Sequence, residues 1–390
     1  MTEQKQYGAD LVVDSLINHD VEYVFGIPGA KIDRVFDTLE DKGPKLIVAR
    51  HEQNAAFMAQ GIGRITGNPG VVITTSGPGV SNLATGLVTA TDEGDPVLAI
   101  SGQVKRCDLL KRSHQSMKNV AMMEPVTKYA VEVHEPDTLS ETIANAYRVA
   151  KSGKRGASFV SIPQDVTDSL VSVKAIKPLT DPQLGSASVG DINYLAQAIR
   201  NADLPVLLLG NGASTRAVTK SIRKLLDAVK LPVVETFQGA GIVSRELEED
   251  TFFGRVGLFR NQPGDMLLKK ADLVIAIGYD PIEYEARNWN AEISARIIVI
   301  DVAQAEIDTY FQPERELIGN IADTIDLLLP AVNGYVLTKA SVDYLQNLKK
   351  NVVEDVKFDR NSKEGLVHPL DVIDVLQENT TDDMTVTVDV

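Results

Sequence analysis

Apolar residues in the first part of the chain gather into short dense runs separated by longer stretches with helical spacing. The runs are EYVFGI (22–27), KLIVAR (45–50), GVVITT (70–75), PVLAIS (96–101) and ASFVSI (157–162). They are rich in Val, Ile and Leu and too short for helices, which predicts strands buried on both faces. Between them, Leu11, Ser15 and Leu16, and then Ala55, Met58, Ala59 and Ile62, recur at the spacing of one helix face. Such alternation predicts a parallel sheet covered by helices on both sides. Around residues 168–190 the periodicity dissolves into Pro, Gly and Ser, the composition of a linker.

The same pattern then returns. Asn193, Ala196 and Ile199 mark a helix, PVLLLG (205–210) a strand, and Val218, Ile222, Leu225, Leu226 and Val229 an amphipathic helix. LPVVETF, ADLVIAIG and ARIIVIDV predict three further strands. A helix is expected at 337–358 on Val342, Leu345, Leu348 and Val352, followed by a helix and a strand in HPLDVIDVLQENTTDDMTVTVDV. The expected fold is therefore α/β, with two Rossmann-like parallel-sheet domains and the start of a third α/β domain. Its expected divisions are 1–167, a linker at 168–190, a central domain at 191–334, a helical linker at 335–368, and the incomplete third domain at 369–390.

Composition narrows the function. A net charge of −15 argues against nucleic-acid binding, which needs a basic face. No run of eighteen apolar residues exists to span a membrane, and the N-terminus lacks the layout of a signal peptide. Cys107 stands alone, so no intrachain disulfide can form and a cytoplasmic location is expected. The five histidines are scattered, without the CxxC or HExxH spacing of a zinc site.

Four segments carry candidate chemistry: FGIPGA (25–30), RHEQNAAFMAQGIGRITG (50–67), TTSGPGVSNL (74–83) and GQVKRCDLLKRSHQSM (102–117). The first three follow the carboxyl ends of expected parallel strands, the edge where open α/β sheets bind ligands. Each alone has an ordinary explanation; Glu52, for instance, would be a favourable charge at a helix start. Lys105, Arg106, Lys111 and Arg112 surround Cys107 as a basic cluster, read first as a solvated or subunit-contact surface and second as an attractor for a carboxylate substrate. Cys107 itself, with no base nearby in the sequence, is read as structural or incidental. Asp301, ending IIVIDV, has the position of a ribose-binding carboxylate, although GNGAST lacks the third glycine of GxGxxG.

Taken together and in this order, FGIPGA, RHEQNAAFMAQGIGR and TTSGPGVSN resemble the pyrimidine-binding domain of thiamine-diphosphate enzymes. NLATGLVTATDEGDPVLAISGQV, HQSM, SIPQDV (161–166), LPVLLLGNGAS and HPLDVIDVL extend the likeness over essentially the whole chain. Within that superfamily the sequence most resembles the catabolic, FAD-independent acetolactate synthases. The resemblance implies decarboxylating condensation of two pyruvate molecules to 2-acetolactate and CO₂, with thiamine diphosphate and Mg²⁺ as cofactors, in a homodimer or homotetramer. Pyruvate oxidase, a 2-keto-acid decarboxylase, or a non-catalytic nucleotide-binding or interaction fragment are the alternatives.

The resemblance also assigns roles. Glu52 would bond the aminopyrimidine ring nitrogen and promote the tautomer that removes the thiazolium proton, a task suited to a partly desolvated carboxylate. Gly29 and Ala30 would lie beside the thiazolium, and Pro78 and Asn82 would line the aminopyrimidine. Gln115 would face the second substrate, with His114 beside it as a proton carrier or a mere polar replacement. FAD is not expected, because GRVGLFRNQPGDMLL (254–268) replaces the family's flavin-binding stretch and Gln164 stands where biosynthetic relatives usually carry lysine. The GDG-to-Asn motif that binds Mg²⁺ and diphosphate is missing, so no metal ligand is expected within the chain. The sequence then corresponds to about the first two thirds of such an enzyme and is expected to be inactive by itself.

Overall fold

The computed structural model describes residues 5–257, 262–355, 365–381 and 383–387. Its first sheet is formed by β1 (Tyr23–Gly26), β2 (Lys45–Val48), β3 (Gly70–Thr74), β4 (Val97–Gln103), β5 (Tyr129–Glu132) and β6 (Ala157–Pro163). These run parallel in the order β2-β1-β3-β4-β6-β5. The second sheet contains β7 (Pro205–Leu209), β8 (Val233–Thr236), β9 (Phe252–Val256), β10 (Leu273–Ile277), β11 (Arg296–Asp301) and β12 (Arg315–Ile318). It too is wholly parallel, in the order β12-β11-β10-β7-β8-β9.

The continuous apolar runs form the central strands because both their faces are covered. Alternate residues of β3 divide between two cores. Val71 and Ile73 pack with Leu11, Leu16, Phe36 and Ile143 from helices on one face, while Val72 packs with Ala55, Ala59, Leu83 and Leu87 on the other. The second sheet repeats this plan. Leu207 and Leu209 meet Ile222, Leu225 and Ile325; Val206 and Leu208 meet Leu267, Trp289 and Phe311. Each such large side chain, taken out of water, contributes about 1.5–3 kcal/mol before the entropy of ordering is subtracted.

Three strands escaped the sequence reading: β5, β9 and β12. Each lies at an edge of its sheet and none is wholly buried. A strand with one free edge and partly solvated faces needs no dense apolar run, so pattern alone does not reveal it. The strand expected at 385–390 is not formed over Thr385–Thr387, which have no strand beside them among the described residues, and Val388–Val390 lie outside those residues. The helix expected at 337–358 runs from Lys339 to Asp355, and residues 356–358 are likewise outside. The helix Pro369–Asn379 exposes Ile373, Val375 and Leu376.

Residues 171–187 contain neither helix nor strand, yet both ends of this segment are tied down. Asn18 Nδ2 donates to the Ala175 carbonyl (3.1 Å), and the Ile176 amide donates to Ser140 Oγ (2.7 Å). Farther on, the Asn320 amide donates to the Gly185 carbonyl at 2.8 Å. The two units also touch directly, through the Lys154–Asp280 ion pair and an Asn211 Nδ2 bond to the Glu93 carbonyl (2.7 Å). Among the described residues no helix is long and apolar enough to cross a membrane.

Phe159 is fully buried in β6 between the sheet and its helices. Phe159→Ala should destabilise the first unit by about 3–5 kcal/mol, because lost transfer energy and an unfilled cavity add. Urea unfolding should show this as a lower midpoint at unchanged slope.

Candidate active site

In the first sheet the chain leaves β1 for β2 on one side and then returns to β3 on the other, so β1 and β3 enclose the point where strand order reverses. Turns that follow their carboxyl ends part there and leave a crevice. The Pro-Gly turn after β1, the Gly-Pro-Gly turn after β3 and the helix start after β2 all converge on it. Most of the candidate residues are thereby gathered around one turn, residues 74–79.

Glu52 is the first residue of the helix Glu52–Thr66, capped by His51, whose Nδ1 accepts the Gln53 amide at 3.2 Å. Its carboxylate is half-buried and is gripped by the next helix: Asn82 Nδ2 donates to Glu52 Oε2 at 2.9 Å. The other oxygen lies over Gly79. A methyl group at Gly79 would stand 3.6 Å from Glu52 Oε1, an ordinary contact, and only 2.5 Å from Thr74 Oγ1, so a side chain there would force the turn off Thr74.

Gly77 caps the helix Pro78–Asp92 at φ +65, a conformation open to glycine and costly for residues with a Cβ. Pro78 follows at the first helical position, where its missing N–H costs nothing. Gly29 packs against Thr75, and Ala30 follows it in the same turn, exposed. On the far side, Gln115 adopts φ +63 and its backbone lies against Gly77. His114 is exposed beside it. The buried hydroxyls Thr74 Oγ1 and Thr75 Oγ1 have no hydrogen-bond partner, an uncommon state for groups next to a crevice.

The basic cluster does not join this site as a whole. The Arg106 amide and Nε donate to the two oxygens of Asp165 at 2.9 and 2.8 Å, and Lys111 pairs with Asp108 at 2.8 Å. Burial works against ionisation of Asp165, but these Arg106 contacts hold its carboxyl below the ordinary range. Cys107 is exposed. Sequence reading missed the polar side chains beneath the 74–79 turn, above all Gln103 and Asn119. The only sequence signal for Gln103 is a polar residue closing an otherwise buried strand, and Asn119 opens a short helix with no signal of its own.

The second sheet has the 3-2-1-4-5-6 order of dinucleotide-binding sheets when its strands are counted from β7, with its reversal between β7 and β10. The turns on its two sides are bonded to one another, with a cavity of about 320 Å³ beside them. The Gly212 amide donates to the Gly278 carbonyl at 2.8 Å, which joins the two turns that would otherwise part. Glu283 fills the phosphate position: it accepts the Asn211 amide (3.1 Å to each oxygen), the Asp280 amide (3.2 Å) and Thr236 Oγ1 (2.6 Å). Three turns after β7, β8 and β10 thus converge on an internal carboxylate.

Asp301 does not match a ribose-binding acid. Such an acid ends the second strand of the unit, here β8, whereas Asp301 ends the fifth. The β8 acid, Glu235, is buried and accepts the Val243 amide at 2.8 Å. Asp301 instead lines a cavity of about 320 Å³ with Asp280 and Glu283. Burial first, and then those two carboxylates, push its carboxyl up to about 6. A carboxyl raised in the folded state binds more protons there than in the unfolded chain, so stability falls as pH rises from about 4 to 6 and then levels. Asp301→Asn should remove this loss, worth up to about 3 kcal/mol. Melting curves between pH 4.5 and 7.5 should therefore be flatter for the variant.

Comparison with known proteins bears on both units. Residues 6–122 match the family model of the thiamine pyrophosphate enzyme N-terminal TPP binding domain, and residues 192–328 match that of the thiamine pyrophosphate enzyme central domain. The chain is 50% identical over 386 residues to an acetolactate synthase of Bacillus subtilis, covering 99% of this chain and 68% of that protein. It is 44% identical over 387 residues to a catabolic acetolactate synthase of Raoultella terrigena, covering 99% and 69%. A probable acetolactate synthase large subunit of Methanocaldococcus jannaschii is 29% identical over 382 residues, covering 95% and 64%.

Proposed function

The chain belongs to the thiamine pyrophosphate enzymes and, within them, to the acetolactate synthases, and on that premise we propose the substrate and the role of each site residue. Two pyruvate anions and one proton give one 2-acetolactate and one CO₂. When bound, thiamine diphosphate supplies the electron sink that makes loss of CO₂ from a 2-keto acid feasible. The observation that carries this reading is the Glu52 carboxylate, fixed through one oxygen by Asn82 and left free at the other in the crevice of the first sheet.

Asn82 holds Oε2, so the plane of the carboxylate is set before any ligand arrives, the preorganisation that proton transfer needs. Oε1 is then free to share a proton with the ring nitrogen of the aminopyrimidine. Pro78, at the first position of its helix, offers a wall for the same ring. Gly29 and Ala30 leave room at the reacting end. Gln115 presents its amide to the carboxylate of the second pyruvate, and His114 sits at the entrance. Gly29, Ala30 and Gln115 would bound the space for the second pyruvate and would limit the access of water to it.

Mg²⁺ is proposed to be bound through residues other than those described here, since among them no group of three or more His, Cys, Asp or Glu could hold a metal. The second unit does not fit FAD: its phosphate position holds Glu283, and Asp280 and Asp301 add negative charge around it. Of the stretch 254–268, read from the resemblance as standing in place of the flavin-binding one, residues 258–261 lie outside the described residues. A homodimer or homotetramer is supported by the helix that begins with Glu52, whose Phe57, Met58 and Ile65 are exposed.

Incubation of the protein in its full natural length with pyruvate, thiamine diphosphate and Mg²⁺ should yield acetolactate and CO₂ in equal amounts. Denatured enzyme should release no flavin, and added FAD should not raise the rate. Acetaldehyde as the main product, or stoichiometric flavin, would move the chain to a decarboxylase or an oxidase.

A further inference from the structure

Beneath the 74–79 turn lies a buried polar network to which the proposed chemistry gives no part. Its centre is Gln103, the last residue of β4, which is 1% exposed. Every hydrogen-bonding position of its amide is used. Oε1 accepts Ser76 Oγ at 3.0 Å and the Val104 amide at 2.9 Å. Nε2 donates to the Met117 carbonyl at 2.8 Å and to Glu132 Oε2 at 3.2 Å. One side chain therefore joins the turn after β3, the segment before Asn119, and the edge strand β5.

Asn119 and Ser161 complete the network. Asn119 Nδ2 donates to the Gly102 carbonyl (3.1 Å) and Ser161 Oγ (3.2 Å), and Ser161 Oγ donates to Glu132 Oε2 (3.1 Å). Ser76 Oγ also lies 2.8 Å from the Gln115 carbonyl, so its hydrogen can pass between Gln103 and Gln115.

The segment these bonds hold has little else to hold it. Residues 111–117 form neither helix nor strand, and Lys111, Arg112, Ser113 and His114 are exposed. Gln115 nevertheless keeps a left-handed conformation (φ +63) that side chains with a Cβ avoid, and such a conformation persists only where surrounding contacts impose it. The contacts here are Ser76 on the Gln115 carbonyl, Gly77 against the Gln115 backbone, and Gln103 on the Met117 carbonyl. Remove Gln103 and the segment loses one anchor directly, while Ser76 loses the partner that aligns it.

We propose that Gln103 is a positioning residue for the substrate end of the site: it holds residues 113–117 against the 74–79 turn and so sets the affinity for the second keto acid. This rests on the acetolactate synthase reading given above. It adds a residue that touches neither cofactor nor substrate and acts through Gln115.

Two readouts on Gln103→Leu test it. Limited trypsin digestion at Lys111 and Arg112 should proceed at least about tenfold faster than in the wild type, because the segment is released. In the enzyme assay the KM for pyruvate should rise about tenfold while kcat and thiamine diphosphate affinity stay within about threefold. Ser76→Ala should move both readouts the same way, by about threefold, and the double variant should fall well short of the product of the two effects, as expected for residues that share one interaction. A folded Gln103→Leu with wild-type digestion and KM would overturn the proposal, as would a fall in kcat at constant KM. If Gln103→Leu fails to fold, wild-type behaviour of Ser76→Ala overturns it instead. A wild-type enzyme that makes no acetolactate would end the functional reading, and the digestion result would still decide whether Gln103 holds the segment.

Discussion

Glu52 must be presented, half-buried and at a fixed angle, to whatever ring enters the crevice between β1 and β3, and most of the first unit serves that requirement. The carboxylate comes from the helix after β2 and its clamp, Asn82, from the helix after β3. β1 lies between these strands and contributes the turn that carries Gly29. Three consecutive crossovers thus bring one group each to the same spot. Parallel pairing makes this possible, because all three connections leave the sheet from the same edge. The glycines at 77 and 79 then let the backbone approach Gln115 and Thr74, where a side chain would not fit.

The two sheets share a construction and differ in what their reversal points contain. In the first, turns part and leave a free carboxylate oxygen and two unpartnered hydroxyls. In the second, the turns are bonded to one another and Glu283 takes up the amides that could have met a phosphate. Fold alone would suggest a ligand at both points. The side chains at each point decide between them.

Much of this was legible in the sequence because the motifs follow the apolar runs directly. Once GVVITT is a buried parallel strand, SGPG has to lie at its carboxyl end, and the same holds for FGIPGA and RHE. Strand order is another matter. Nothing local distinguishes the fifth strand of a sheet from the second, so Asp301 could be mistaken for a ribose ligand until β11 was seen beyond β10. The edge strands β5, β9 and β12 were hidden because partial exposure removes the apolar signal. Gln103 was hidden for the opposite cause: its partners Ser76, Met117 and Glu132 are remote in sequence, and only the folded sheet brings them within reach.

The account stands on the Glu52 oxygen acting as a proton partner rather than as a charge at a helix start. Hydrogen–deuterium exchange at C2 of bound thiamine diphosphate, followed by NMR, tests this without relying on substrate turnover. Glu52→Gln keeps the size of the side chain, and its amide oxygen can still accept from Asn82, so fold and cofactor binding should be largely retained. Exchange should slow by about two to four orders of magnitude. Exchange at the wild-type rate in that variant would contradict the account.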